Sequence, residues 1–215
     1  MFDQEANGLE QTRGIICTRS NIRMVKAIAA IRTTQSTTTK SNFYFIFPWA
    51  EEGNLSDVWR NHHRLDLSEE RITWFLKEIT ELSDAICALH NNNPDGNPEA
   101  PNNFGSHGDL KPENILCFLR EGSEKMLYVA DMGLVKFHSI STGARPEPTG
   151  TSEDTDRYLP PEEKTSLPSQ EKKRSRSTDI WSLGCIFLEF VAWLLYGFEE
   201  LSTWKSHFIR STRLN

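Results

Sequence analysis

Cysteine is sparse and scattered in this 215-residue sequence: Cys17, Cys87, Cys117 and Cys185 form no C-x-x-C pair. That excludes a zinc or redox motif of the usual spacing and any disulfide framework. It suits a reducing, intracellular compartment, cytoplasmic or nuclear. A surplus of positive charge is also missing. The formal net charge is −6, which argues against a dedicated nucleic-acid surface. The opening residues, Met1-Phe2-Asp3-Gln4-Glu5, have neither a basic start nor an apolar core, so no secretory signal is read there. No internal repeat is present. There is a single long apolar run, from Ile180 to Phe198, nearly enough to span a bilayer. Glu189 at its centre would be costly in lipid, and the run reads as the buried core helix of a protein with no membrane partner.

What is there fits one soluble domain, 37% apolar and 25% charged. Residues 1–23 carry Phe2, Glu5, Ala6 and Leu9 at helical spacing. Met24 to Ile31 reads as a strand, Thr33 to Ser41 as a polar loop, and Asn42 to Phe47 as a second strand that Pro48 ends. A short helix is expected over Leu55–Asn61. A long one starts near Asp66 or Ser68, with Ile72, Phe75, Leu76, Ile79, Leu82, Ile86 and Leu89 recurring every three or four residues up to Asn91. Two short strands, Ile115–Phe118 and Met126–Ala130, flank the turn Glu121-Gly122-Ser123. Residues 138–178 are polar and rich in Pro, Ser and Thr. A few strands followed by mostly helices give an α+β protein.

The strongest chemical signal is His107-Gly108-Asp109-Leu110-Lys111-Pro112-Glu113-Asn114. Phosphoryl transfer needs a carboxylate to orient a hydroxyl and take its proton, a cation for the developing charge, and oxygen ligands for Mg²⁺. Asp109, Lys111 and Asn114 supply one of each within six residues. An H-x-D-x-K-x-x-N match arises by chance in roughly one such chain per thousand. Asp131-Met132-Gly133 follows an apolar strand, where a carboxylate can face a metal without crowding. Alone it would be an ordinary turn.

These motifs, with two later ones, resemble those of the eukaryotic-type Ser/Thr protein kinases. His107–Asn114 resembles the H-R-D-L-K-P-E-N catalytic loop at seven of eight positions, and Asp131-Met132-Gly133 resembles D-F-G. Tyr158-Leu159-Pro160-Pro161-Glu162 resembles Y-x-A-P-E, and Asp179-Ile180-Trp181-Ser182-Leu183-Gly184 resembles the D-x-W-S-x-G of the buried central helix. The resemblance runs over about residues 1 to 210. It implies a protein-kinase-like fold: a residual small lobe (1–47), a hinge (48–53) and a mainly helical large lobe (54–215). It also implies roles. Asp109 is the catalytic base and Lys111 steadies the phosphate; Asn114 and Asp131 hold Mg²⁺. Pro48 and Ala50 meet the adenine of ATP with backbone groups, Phe47 closes the back of the pocket, and Leu116 forms its floor. Glu5, Gly133, Thr155, Glu162 and Asp179 belong to the structural and activation-segment positions. Lys111 and Thr155 fit the Ser/Thr pattern rather than the tyrosine one, so the partner is a protein with a Ser or Thr acceptor. Phe47-Pro48-Trp49-Ala50 leading to Gly53-Asn54-Leu55 resembles kinases common in filamentous fungi.

Two departures stand out. Gly108 occupies the place of the family's arginine, and the 215 residues contain neither G-x-G-x-x-G nor the strand lysine that contacts phosphates. Lys26 cannot be that lysine, because Asn42 follows it by only sixteen residues, too few for a helix and another strand. On this reading the sequence is a kinase domain cut at both ends, and these residues alone are expected to bind Mg·ATP weakly or not at all and to transfer no measurable phosphate. A pseudokinase or interaction module, and a small-molecule kinase of similar fold, remain as other readings. Lys172-Lys173-Arg174-Ser175-Arg176 reads as a solvated loop, His62-His63 as surface, and Trp74, Trp181 and Trp193 as core.

Overall fold

The computed structural model describes residues 22–34, 41–62, 67–91, 104–121, 123–131, 136–138, 157–164 and 175–212. Glu5 and the helix expected near it, Gly133 and Thr155 lie outside them.

Strands β1 (Ala29–Thr34) and β2 (Ser41–Ile46) pair antiparallel, Ala29 opposite Ile46 and Thr34 opposite Ser41. The expected strand Met24–Ile31 is therefore displaced by about one turn of chain. Thr33 and Thr34, read as loop, continue the strand because β-branched side chains suit the pleat. Met24 and Val25 do something else. They are 1% and 6% exposed. Val25 N donates to Val129 O at 2.8 Å and Val129 N to Arg23 O at 2.8 Å, which anchors this segment to the second half of the molecule.

Helix α1 (Leu55–Asn61) begins at a reciprocal cap: Asp57 N donates to Asn54 Oδ1 at 3.0 Å and Asn54 N to Asp57 Oδ2 at 3.2 Å. Two of the orphan amides of a helix start are thus satisfied. Gly53 precedes it at φ +73°, and a Cβ there would lie 2.7 Å from Asp57 Oδ2, so only glycine fits the approach. Helix α2 (Glu69–His90) starts after Ser68, as its acidic first turn indicates. Its stripe is partly buried: Phe75, Leu82, Ile86 and Leu89 reach the core, whereas Ile72 and Leu76 are exposed.

A hairpin of β4 (Ile115–Leu119) and β5 (Lys125–Val129) follows a short strand β3 (Phe104–Ser106) and a 3₁₀ turn (Pro112–Asn114). Strand β6 (Lys136–His138) pairs antiparallel with β3. Helix α3 (Pro161–Lys164) lies in the stretch read as loop. β3, β6 and α3 were not anticipated; at three or four residues each is too short to carry a period.

Helix α4 (Arg176–Tyr196) is the centre of the structure, and α5 (Phe198–Thr212) follows Gly197. Phe190, fully buried, meets Phe75, Trp74, Trp193 and Trp59 with ring centroids 4.9 to 5.9 Å apart, edge or tilted contacts of the favoured kind. Trp193 also donates from Nε1 to Trp59 O and His62 O, at 3.1 and 3.0 Å. Helix α4 is long and apolar enough to cross a membrane by length and composition, with mean hydropathy 1.5, and half of its apolar window is buried inside the protein. Trp181, expected in the core, is 44% exposed: it sits on the face of α4 turned away from α2. His62, expected at the surface, is half-buried against Lys125 and Glu52.

Candidate active site

The loop after β3 is held by one buried carboxylate. Asp179, in the first turn of α4, is 1% exposed. Its Oδ2 accepts from the backbone N of His107 and from His90 Nε2, and its Oδ1 from the backbone N of Gly108, each at 2.8 Å. A carboxylate that accepts three such bonds is a strong clamp. Gly108 has φ +79°, a conformation that suits glycine and strains an arginine or any other side-chain-bearing residue.

His107 is fully buried. Its Nε2 lies 2.9 Å from Ala130 O, and its Nδ1 accepts from Asp109 N at 3.3 Å. This geometry suits the tautomer with its proton on Nε2. Ala130 N in turn donates to Asn114 O at 2.8 Å. The end of β5, and with it Asp131, is thereby tied to the loop. Asp131 is exposed and has φ +59°, a left-handed conformation that aspartate tolerates better than most residues.

Three of the expected residues meet directly. Lys111 Nζ lies 3.2 Å from Asp109 Oδ2. Asn114 Nδ2 donates to Asp109 O at 2.7 Å and to Oδ2 at 3.2 Å. Asp109 Oδ1, buried, has no hydrogen-bond partner among the described residues. The 3₁₀ turn makes this possible: Lys111 is its cap, Pro112 starts it without needing a donor, and Asn114 N closes it on Lys111 O at 2.9 Å.

The segment 47–53 runs beside β4. Glu52 N donates to Cys117 O at 3.2 Å, Cys117 N to Gly53 O at 2.8 Å, and Asn54 bridges to Leu116. Leu116 is half-buried under it. Phe47 is 44% exposed and Trp49 84%. Cys117 is buried, and burial pushes its thiol up to about 12, so it is no nucleophile. Further along α4, Tyr158 donates to Glu189 Oε2 at 2.9 Å, and Lys205 Nζ lies 2.8 Å from the same oxygen. Burial first, and then the charge of Glu189, hold the Tyr158 phenol well above its ordinary range. Thr178 donates to Glu163, linking α3 to α4. Glu162 lies in α3 and its side chain is not described.

A sequence profile of the protein kinase domain matches residues 6–205. The chain belongs to the protein kinase domain family. Among curated proteins it is similar to the mouse serine/threonine-protein kinase Nek2, 30% identical over 72% of this chain and 30% of that protein. It is 36% identical to 3-phosphoinositide-dependent protein kinase B of Dictyostelium discoideum over 76% of this chain and 16% of the relative. It is 27% identical to an Aurora kinase of Yarrowia lipolytica over 87% of this chain and 41% of the relative. The chain thus spans less than half the length of each. Each of these relatives is named a kinase, the first a serine/threonine-protein kinase, and the α+β architecture of this chain agrees with a protein kinase domain.

Sequence reasoning missed one participant of this kinase domain's site. His90, in the last turn of α2, is 7% exposed and shares Asp179 Oδ2 with the loop. Nothing in the sequence near His90 marks it, because its partner lies 89 residues away.

Proposed function

We propose that this kinase domain transfers the γ-phosphoryl group of ATP to a serine or threonine hydroxyl of a protein. The observation that carries this reading is Asp109 Oδ1, a buried carboxylate oxygen with no hydrogen-bond partner among the described residues, while Oδ2 is fixed by Lys111 and Asn114. Such an oxygen is available to align an acceptor hydroxyl and receive its proton. Lys111, already beside Asp109, lies where it can balance charge on the transferred group. The Asn114 amide nitrogen is committed to Asp109, which leaves Oδ1 for a metal; with the exposed Asp131 carboxylate this gives two oxygen donors. That set fits Mg²⁺, which prefers one or two protein oxygens completed by water and phosphate. When bound, the ion would neutralise phosphate charge.

The lobes follow the same reading: 1–47 small lobe, 48–53 hinge, 54–215 large lobe. At the hinge Pro48 has no N–H and offers its carbonyl. The Ala50 carbonyl accepts from Gly53 N at 3.2 Å, so Ala50 offers its N–H to adenine. Leu116 lies beneath, and Phe47 stands at the back. Asp179 acts through the loop as a positioning residue. Glu5, Gly133, Thr155 and Glu162 keep the structural roles implied by their motifs. We place the protein inside the cell, in keeping with its few, scattered cysteines.

The test is phosphoamino-acid analysis. Residues 1–215, preceded by a glycine-rich loop and lysine-bearing strand from a relative, are incubated with labelled ATP, Mg²⁺ and a mixture of proteins. Label on phosphoserine or phosphothreonine is the expected result. Label on small molecules alone would overturn the proposal, as would micromolar ATP binding with no transfer to anything, which would favour an interaction module.

A further inference from the structure

A cavity of about 660 Å³ lies away from the catalytic loop. Its walls are the segment 22–26, the hairpin β4–β5, the middle of α2 at Lys77 and Glu81, and Pro48 at the start of the hinge. Neither Asp109, Lys111, Asn114, Asp131 nor Leu116 lines it. Its floor is aromatic, with Phe118 and Tyr128 stacked edge to face at 5.3 Å. Four cations and one carboxylate surround that floor: Arg23, Lys26, Lys77 and Arg120, with Glu81 beside Arg23.

The four cations are not equivalent. Lys77 is engaged by Glu124 at 2.5 Å. Arg23 lies 3.6 Å from both Glu78 and Glu81, and its guanidinium stands 5.0 Å over the Tyr128 ring. Its side chain is only 9% exposed, yet Nη1 has no hydrogen-bond partner among the described residues. A buried guanidinium donor without a partner is costly, which makes it a place for an acceptor. Lys26 and Arg120 are exposed and form no ion pair among the described residues. The cavity thus combines one buried guanidinium donor without a hydrogen-bond partner among the described residues, two surface cations in no ion pair among them, and an aromatic floor, in a protein whose net charge is −6.

We propose that this cleft binds an acidic peptide segment of a protein partner. A carboxylate of the peptide sits among Arg23, Lys26 and Arg120, and an adjoining apolar side chain lies on Phe118 and Tyr128. Arginine favours such planar oxyanions, and the aromatic floor supplies the apolar half of the contact. Because Pro48 forms part of the wall, the bound segment lies directly behind the hinge.

The test uses the full chain and a panel of fluorescein-labelled dodecapeptides in which Asp and Glu alternate with Leu, Phe and Tyr in varied order. Binding is read by fluorescence anisotropy. Lys26→Glu and Arg120→Glu change exposed residues outside the catalytic loop, and thermal melting checks that each folds. We expect the best peptides to lose tenfold or more in affinity with either variant, and versions with Asn and Gln for the acids not to bind. The proposal is overturned if no peptide shows that dependence, or if the amide versions bind equally well. It is also overturned if a labelled oligonucleotide competes with the peptides and outbinds all of them.

Discussion

Around Asp179, buried polar groups are matched to one another: His90, the amides of His107 and Gly108, and the ring of His107 with Ala130 O are all paired. The sheet β1–β2 is built the other way. Its backbone is paired in register, but Ile31, Tyr44 and Ile46 are 43 to 53% exposed, and Ile28 just ahead of it is 68% exposed. The first region derives its shape from a helix that runs through the core. The second is held by its own ladder and by Met24 and Val25, which reach β5. Two strands alone are marginal in water, so the two regions should differ in stability as much as in chemistry.

The most severe way to break the comparison is Asp179→Ala. It leaves two buried amides and a buried imidazole without their acceptor, and each such loss costs on the order of 1–3 kcal/mol. We expect a destabilisation of about 3 kcal/mol or more in urea unfolding. A variant within about 0.5 kcal/mol of the parent would show that the clamp is not what holds the loop.

A smaller effect is expected at Glu78, the buried carboxylate that accepts from Leu127 N at 2.7 Å on the hairpin side of α2. Burial raises its pKa above the ordinary glutamate value of 4.5, against the opposing pull of the Leu127 bond and Arg23. The folded state therefore holds this proton more tightly than the unfolded chain. Its favourable contribution is complete below the unfolded pKa and is lost as pH rises through the raised one. Compared with Glu78→Gln, the parent should lose relative stability as pH climbs from about 4 toward neutrality in urea melts. A difference that stays flat, or runs the other way, would contradict the burial argument.

The smallest effects belong to the sheet. Ile31→Ala and Tyr44→Ala remove exposed side chains and should change global unfolding by no more than about 0.5 kcal/mol. The amides of β1 and β2 should exchange with solvent well before those of α4. Slow exchange in β1 equal to that of α4 would make the two regions one cooperative unit.

Legibility in the sequence followed the same divide. Features carried by a local pattern came through: the α2 stripe, the β4–β5 hairpin, the run that became α4, and Asp109, Lys111 and Asn114 converging in one turn. Features carried by distance did not. His90 meets Asp179 only because α2 and α4 cross, and Met24 and Val25 looked like strand residues while their partner was Val129. Trp181 fits an apolar helix equally well on either face, so composition could not orient it. The exposure of Ile72 and Leu76 shows the limit of periodicity, which locates a stripe without saying how much of it is covered.

The central claim is that Asp109 serves the acceptor hydroxyl and not the nucleotide. It is tested by comparing Asp109→Asn with the parent sequence, both carrying the supplied glycine-rich loop and lysine strand. Transfer from labelled ATP and calorimetric affinity for Mg·ATP are measured side by side. Transfer should fall at least tenfold while nucleotide affinity stays within about twofold, the split expected for a group that acts only on the acceptor. Retention of more than a tenth of the parent rate, or an equal fall in affinity and rate, would contradict it.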